Sequence, residues 1–138
     1  MKNFIYAFIA AVLLSGCATK FQWPTKGNMI YGYDGLKSKG IGIDGESGDP
    51  IYASAAGKVV YAGSGLRGYG NLIILKHDDE YLTAYAHLKL ISVEEKQAVN
   101  KGQKIGEMGN SESDKVKLHF EIRQKGIAVD PIKYLPNN

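Results

Sequence analysis

Six short segments of the chain alternate apolar and polar residues, or run apolar between turn residues. They are PIYAS at 50–54, GKVVYAG at 57–63, NLIILKH at 71–77, EYLTAYAHL at 80–88, QKIGEMG at 103–109 and KLHFEIRQ at 117–124. Period two, with Val, Ile, Tyr and Leu enriched, is the signature of half-buried strands. In 117–124 the alternation is strict. Leu118, Phe120 and Ile122 point one way; Lys117, His119, Glu121 and Arg123 point the other. In 80–88 the same reasoning gives Leu82, Ala84, Ala86 and Leu88 as the apolar face and Tyr81, Thr83, Tyr85 and His87 as the opposite one. HDDEYL at 77–82 reads as a hairpin turn joining two strands. Only SVEEKQAV at 92–99 has the pattern of a brief helical turn. The expectation is an all-β domain of small packed sheets, with seventeen glycines supplying tight turns.

The first residues do not share this pattern. Residues 4–14, FIYAFIAAVLL, form an uncharged run behind a single positive charge at Lys2. Eleven residues suit the core of a signal peptide and are too short to span a bilayer. LSGCA follows at 14–18, with the one cysteine of the sequence at Cys17. This stretch resembles the lipobox of bacterial lipoproteins. The resemblance implies a cleaved signal peptide at 1–16 and an acylated Cys17. Ala18 is not the aspartate that commonly retains such proteins in the inner membrane, so an outer-membrane anchor facing the periplasm is implied. Residues 17–20 would then be the lipidated N-terminus and a very short linker, and 21–136 the single domain. An acylated Cys17 leaves no cysteine for a disulfide or a thiolate metal site.

Charge narrows the function classes. The chain carries 17 Lys and Arg against 14 Asp and Glu. Loss of residues 1–16 removes only Lys2, leaving 16 against 14, or +2. That balance is too mild to argue for nucleic acid. The candidate chemistry lies in two strand histidines, His87 and His119; His77 sits in the turn. Metal sites on strands often use histidines at i and i+2, because period two places both on one face. Here the residue two before His119 is Lys117. An ammonium beside a cation site repels the metal and is no base near neutral pH unless its pKa falls by several units.

Several segments together resemble one family. FQWPTKG (21–27), SKGIGI (38–43), GDPIYASAAGKVVYAG (48–63), LRGYGNLIILKH (66–77), YLTAYAHL (81–88), VNKGQKIGEMG (99–109), LHFEIR (118–123) and DPIKYL (130–135) are similar to the LytM, or lysostaphin-type, peptidase domain. The likeness runs over residues 21–136 and is strongest to the NlpD- and YgeR-related envelope lipoproteins. It implies a small barrel-sandwich-like all-β fold built on duplicated hairpins.

Active members of that family cut peptide cross-links in peptidoglycan with zinc. Their ligands are the His and Asp of HxGxD and the second His of HxH; the first His of HxH and the His of YxH assist. Carried onto this sequence, Ser38 stands at the first ligand position and Gly42 at the second. Lys117 replaces the first His of HxH, His119 keeps the third ligand position, and His87 keeps the assisting one. A second register makes Asp44 the carboxylate ligand and puts Gly40 at the histidine position. Either way the first histidine is missing. The resemblance therefore implies a domain without metal, cofactor or catalytic residues, in which His87 and His119 are vestigial. Metal-less LytM domains of envelope proteins activate N-acetylmuramoyl-L-alanine amidases, which split peptidoglycan in cell division. By that likeness the residues that would bind such an amidase are Ser38, Gly42, Arg67, Tyr69, His87, Lys117 and His119. Two other readings are a lipoprotein that binds peptidoglycan and tethers the membrane to it, and an active zinc endopeptidase.

Overall fold

A computed structural model describes residues 20–137. The apolar run, Cys17 and the signal-peptide boundary lie outside the described residues. The described chain forms ten strands: β1 (Met29–Tyr31), β2 (Ile41–Asp44), β3 (Pro50–Tyr52), β4 (Gly57–Gly63), β5 (Asn71–Lys76), β6 (Tyr81–Ile91), β7 (Ala98–Val99), β8 (Lys104–Met108), β9 (Lys117–Gln124) and β10 (Ile127–Val129). A single turn of 3-10 helix follows at Pro131–Lys133. All strand pairs are antiparallel, in the order β1-β2-β9-β6-β5-β4-β7, with β10 beside β9 and β3 beside β8. The all-β expectation holds. Residues 92–99 do not form a helical turn: Ser92 donates to the Ile105 carbonyl, and the segment leads into β7.

β6 is the hub. Tyr81 to Ala86 pair with β9, and Leu88 to Ile91 pair with β8. The switch falls at His87, whose φ of 64° lies in the left-handed region. Histidine is among the few residue types enriched there. The turn before β6 behaves as its sequence implies. Asp78 accepts the backbone N–H groups of Glu80 and Tyr81, closing the hairpin.

The core lies under β9 and β6. Leu118, Phe120 and Ile122 are fully buried, as strict alternation requires. They pack with Ile41, Ile43, Ile51, Ile105 and Met108. β6 corrects the sequence reading. Its core side is Thr83 and Tyr85, both fully buried, and not Ala84 and Ala86. Their polar tips are satisfied in a chain running from His77 Nε2 through Thr83 Oγ1 and the Tyr85 hydroxyl to the Ser54 backbone N–H. A buried tyrosine costs little when its hydroxyl is paired, and its large ring then fills the core. Ala84 and Ala86 face the other way, in a small cluster with Leu72. Leu88 rejoins the main core because the left-handed residue before it breaks the alternation.

Candidate functional site

The site forms on the outer face of β2, β9 and β6. Gly42 is the cross-strand partner of His119, and His119 of Ala86. Glu121 lies opposite Ala84. Directly opposite residues share a face, so His119 and Glu121 are flanked by glycine and alanine. Small neighbours leave room for their side chains and for an aromatic ring from β1. Tyr31 pairs with Gly42, and its ring lies over it; a Cβ built on Gly42 would overlap that ring.

His119 has both ring nitrogens engaged. Its Nδ1 is 2.6 Å from the Tyr31 hydroxyl and its Nε2 is 2.8 Å from Glu121. Burial, and then the Glu121 charge, push the Tyr31 phenol up to about 12. The phenol therefore keeps its proton, and His119 is held between that hydroxyl at Nδ1 and the Glu121 carboxylate at Nε2. Glu121 is only 1% exposed. It also accepts from the Tyr69 hydroxyl at 2.9 Å and from Arg123 Nε and Nη2 at 2.9 and 2.8 Å. Burial alone would raise the Glu121 carboxyl, but hydrogen bonds and charge from His119 and Arg123 outweigh it and bring it down to about 2.

His87 reaches the same site by a different route. On plain alternation it would share the core face of Thr83 and Tyr85. Its left-handed backbone turns the ring outward, with its centroid 6.2 Å from that of His119. Nδ1–H donates to the Ser111 carbonyl at 2.8 Å. Burial lowers the imidazole pKa, the Ser111 carbonyl opposes this, and His119 and Lys117 deepen the lowering. The ring is thus held neutral with a lone pair on Nε2.

The opposite rim is the loop between β1 and β2. The Asp34 carboxylate accepts the backbone N–H groups of Leu36, Lys37 and Ser38, which folds the loop back on itself. Those bonds, Ser38's first, hold the Asp34 pKa below the ordinary value. Ser38 Oγ donates to the Gly40 carbonyl at 2.6 Å. Lys117 stands with its ammonium 5.5 Å from the Tyr31 ring centre and 3.8 Å from Asp114.

Ser38, Tyr69, His87, Lys117 and His119 together line one cleft of about 530 Å³. Two of the residues named from sequence do not line it. Gly42 lies beneath Tyr31, and Arg67 is exposed on the neighbouring loop. Asp44 does not line it either; its carboxylate is 3.4 Å from Lys115. Sequence reasoning missed Tyr31 and Glu121. Glu121 had a signal, since it shares the polar face of β9 with His119. Tyr31 had none, because β1 is only three residues long.

This donor set does not fit the zinc that the fold family implies. A catalytic zinc needs three protein ligands and an open position. The carboxylate position is a glycine covered by an aromatic ring. Ser38 spends its hydroxyl on a backbone carbonyl, Lys117 brings a positive charge, and His119 has no unshared ring nitrogen. Among the described residues no group of three or more His, Cys, Asp or Glu is placed to hold a metal ion.

The chain is similar to known proteins along most of its length. It is 54% identical over 120 residues to the outer membrane antigenic lipoprotein B of Haemophilus influenzae, covering 86% of this chain and 30% of that protein. It is 52% identical over 118 residues to the murein hydrolase activator NlpD of Escherichia coli, covering 84% and 31%. The chain thus spans less than a third of the length of these curated relatives. Among solved structures, the catalytic domain of the antimicrobial peptidase lysostaphin from Staphylococcus simulans superposes with a TM-score of 0.72 at 30% identity, covering 78% of this chain and 91% of that one. The profile of Peptidase family M23 matches residues 36–131, and the chain belongs to that family.

Proposed function

We propose that this chain is a non-catalytic M23 lipoprotein that activates a periplasmic N-acetylmuramoyl-L-alanine amidase, so that the amidase splits peptidoglycan during cell division. The observation that carries this reading is the Tyr31–His119–Glu121 arrangement. The cleft is present while the groups at its metal-binding positions are replaced or engaged in hydrogen bonds. The name of the Escherichia coli relative, a murein hydrolase activator, supports it. An activator works by binding the open state of its partner better than the closed one. The cleft residues Ser38, Tyr69, His87, Lys117 and His119 supply the contact surface, with the exposed Arg67 on the loop beside it, while Gly42 contributes only by making room for the Tyr31 ring. Acyl chains on Cys17 anchor the protein to the outer membrane on its periplasmic side, with 1–16 removed and 21–136 as the functional domain. Lys20 is already tied to Asp78 and lies 4.5 Å over the Tyr81 ring. The domain therefore begins within three residues of the anchor and works close to the membrane.

Calorimetry with a purified periplasmic amidase tests the reading. Tyr69→Ala and Lys117→Glu should weaken binding by about 1–3 kcal/mol, as hot-spot contacts do. Arg67→Glu should change it by less, because Arg67 lies outside the cleft. Normal binding by both cleft variants would move the interface elsewhere and favour the wall-tethering reading.

A further inference from the structure

The cleft has an apolar neighbour. Beyond Tyr69 and Glu121, which line both, lies a second hollow of about 250 Å³. Its walls include Leu66, Leu72, Ile74, Leu82 and Ala84, with Leu66 left 44% exposed. The cleft itself is cationic. Lys37, Lys39 and Lys117 line it, and both of its carboxylates are already engaged. Asp34 is taken up by three backbone N–H groups, and Glu121 by His119, Tyr69 and Arg123. Lys39 gives one hydrogen bond to the Gly35 carbonyl and keeps two donors. An arriving partner meets three ammonium groups on one side of the Tyr69 ring and an aliphatic hollow on the other.

We propose that the two hollows form one docking surface for a protein segment that presents a carboxylate beside a bulky apolar side chain. The carboxylate enters among Lys37, Lys39 and Lys117; the apolar side chain fills the hollow at Leu66. This deepens the reading above, in which the segment belongs to the amidase, and rests on it only for the identity of that segment. Charge complementarity selects an acidic ligand, and the aliphatic hollow selects between acidic ligands. A stem peptide of the cell wall also carries carboxylates, but its apolar side chains are alanine methyls, too small to fill such a volume. An apolar anchor in a pocket supplies affinity, while the surrounding lysines supply orientation and encounter rate.

The test selects a library of random phage-displayed peptides on the full chain, synthesises the recovered peptides and titrates them at low and high salt. Recovered peptides should pair Asp or Glu with Leu, Ile, Phe or Trp within a few residues. Replacing the acid by its amide, or the apolar residue by Ala, should each weaken binding about tenfold. Leu66→Asp and Lys117→Glu should do the same, with thermal melts confirming the fold, whereas Ile132→Asp on the 3-10 turn should not. Peptides without that pairing, or peptides indifferent to both cleft-side variants, overturn the proposal. Soluble wall fragments that bind as tightly and displace the peptides also overturn it. The library contains no amidase, so the two readings fail separately. If no amidase is activated but the peptides behave as expected, only the proposed activation falls. If an amidase is activated but the peptides do not behave so, only the docking chemistry falls.

Discussion

Tyr31 reaches across Gly42 to His119, its hydroxyl 2.6 Å from Nδ1. One short edge strand thereby fills the space where a side chain at position 42 would stand, and engages the histidine that could otherwise bind a metal. Glu121 holds the other nitrogen of the same ring.

This relationship predicts how the site answers attempts to restore it. Gly42→Asp alone should bind no zinc, because the new side chain and the Tyr31 ring need the same volume. It should also lose about 1–3 kcal/mol of stability, as overpacked sites do. Zinc binding should return only when Tyr31→Ala accompanies Ser38→His, Gly42→Asp and Lys117→His. Elemental analysis and chemical denaturation of each variant measure both effects. Gly42→Asp with full stability would show that the ring does not occupy that space.

Glu121 makes a pH prediction. Its folded-state pKa, about 2, lies below the ordinary 4.5. Its stabilisation is therefore fully present above about pH 4.5 and is lost as pH falls towards 2. Glu121→Gln should cost about 2–3 kcal/mol at neutral pH, since it leaves Arg123 without its charged partner. The difference in unfolding free energy between wild type and variant should shrink steadily between pH 4.5 and 2. A difference independent of pH in that window would mean the carboxylate is not held ionised by His119 and Arg123.

His87 separates backbone from ring. Its φ of 64° suits His, Asn and Gly and opposes β-branched residues. His87→Val should be less stable than His87→Asn by about 1–2 kcal/mol. His87→Asn should keep the strand switch at β6 but lose the ring face that lines the cleft. Equal stability of the two variants would remove the left-handed residue as the device that turns β6 from β9 to β8.

The contrast between β9 and β6 shows what the sequence could carry. β9 was legible in full, because one face is wholly apolar and the other wholly polar. β6 was legible as a strand but not in its facing. Thr83 and Tyr85 look polar, yet they are buried with their hydroxyls paired to each other and to Ser54. Alternation was expected to put His87 on an outer face with Thr83 and Tyr85; that face is the core, and His87 lies beside His119 only because its left-handed backbone turns the ring outward, which no pattern encodes. That the family's ligand positions are replaced in this chain is what the resemblance implies. The residue that fills the space above Gly42 was not legible, since Tyr31 reaches the site through a three-residue strand and a long-range pairing.

The proposed membrane anchor makes its own prediction. Cys17→Ala should leave the precursor unprocessed at this position and should abolish incorporation of labelled fatty acid. Normal processing and membrane fractionation of that variant would count against acylation. A single acyl chain gives only marginal binding, so mass spectrometry should find more than one.

The central claim is that the cleft acts by contact and not by metal chemistry. Its most direct test incubates dye-labelled peptidoglycan sacculi with the purified chain, a periplasmic amidase, or both. The chain alone should release nothing, the amidase alone little, and the two together much more, with products cut at the muramoyl–alanine bond. Chelator-sensitive release of peptide cross-links by the chain alone would contradict the account.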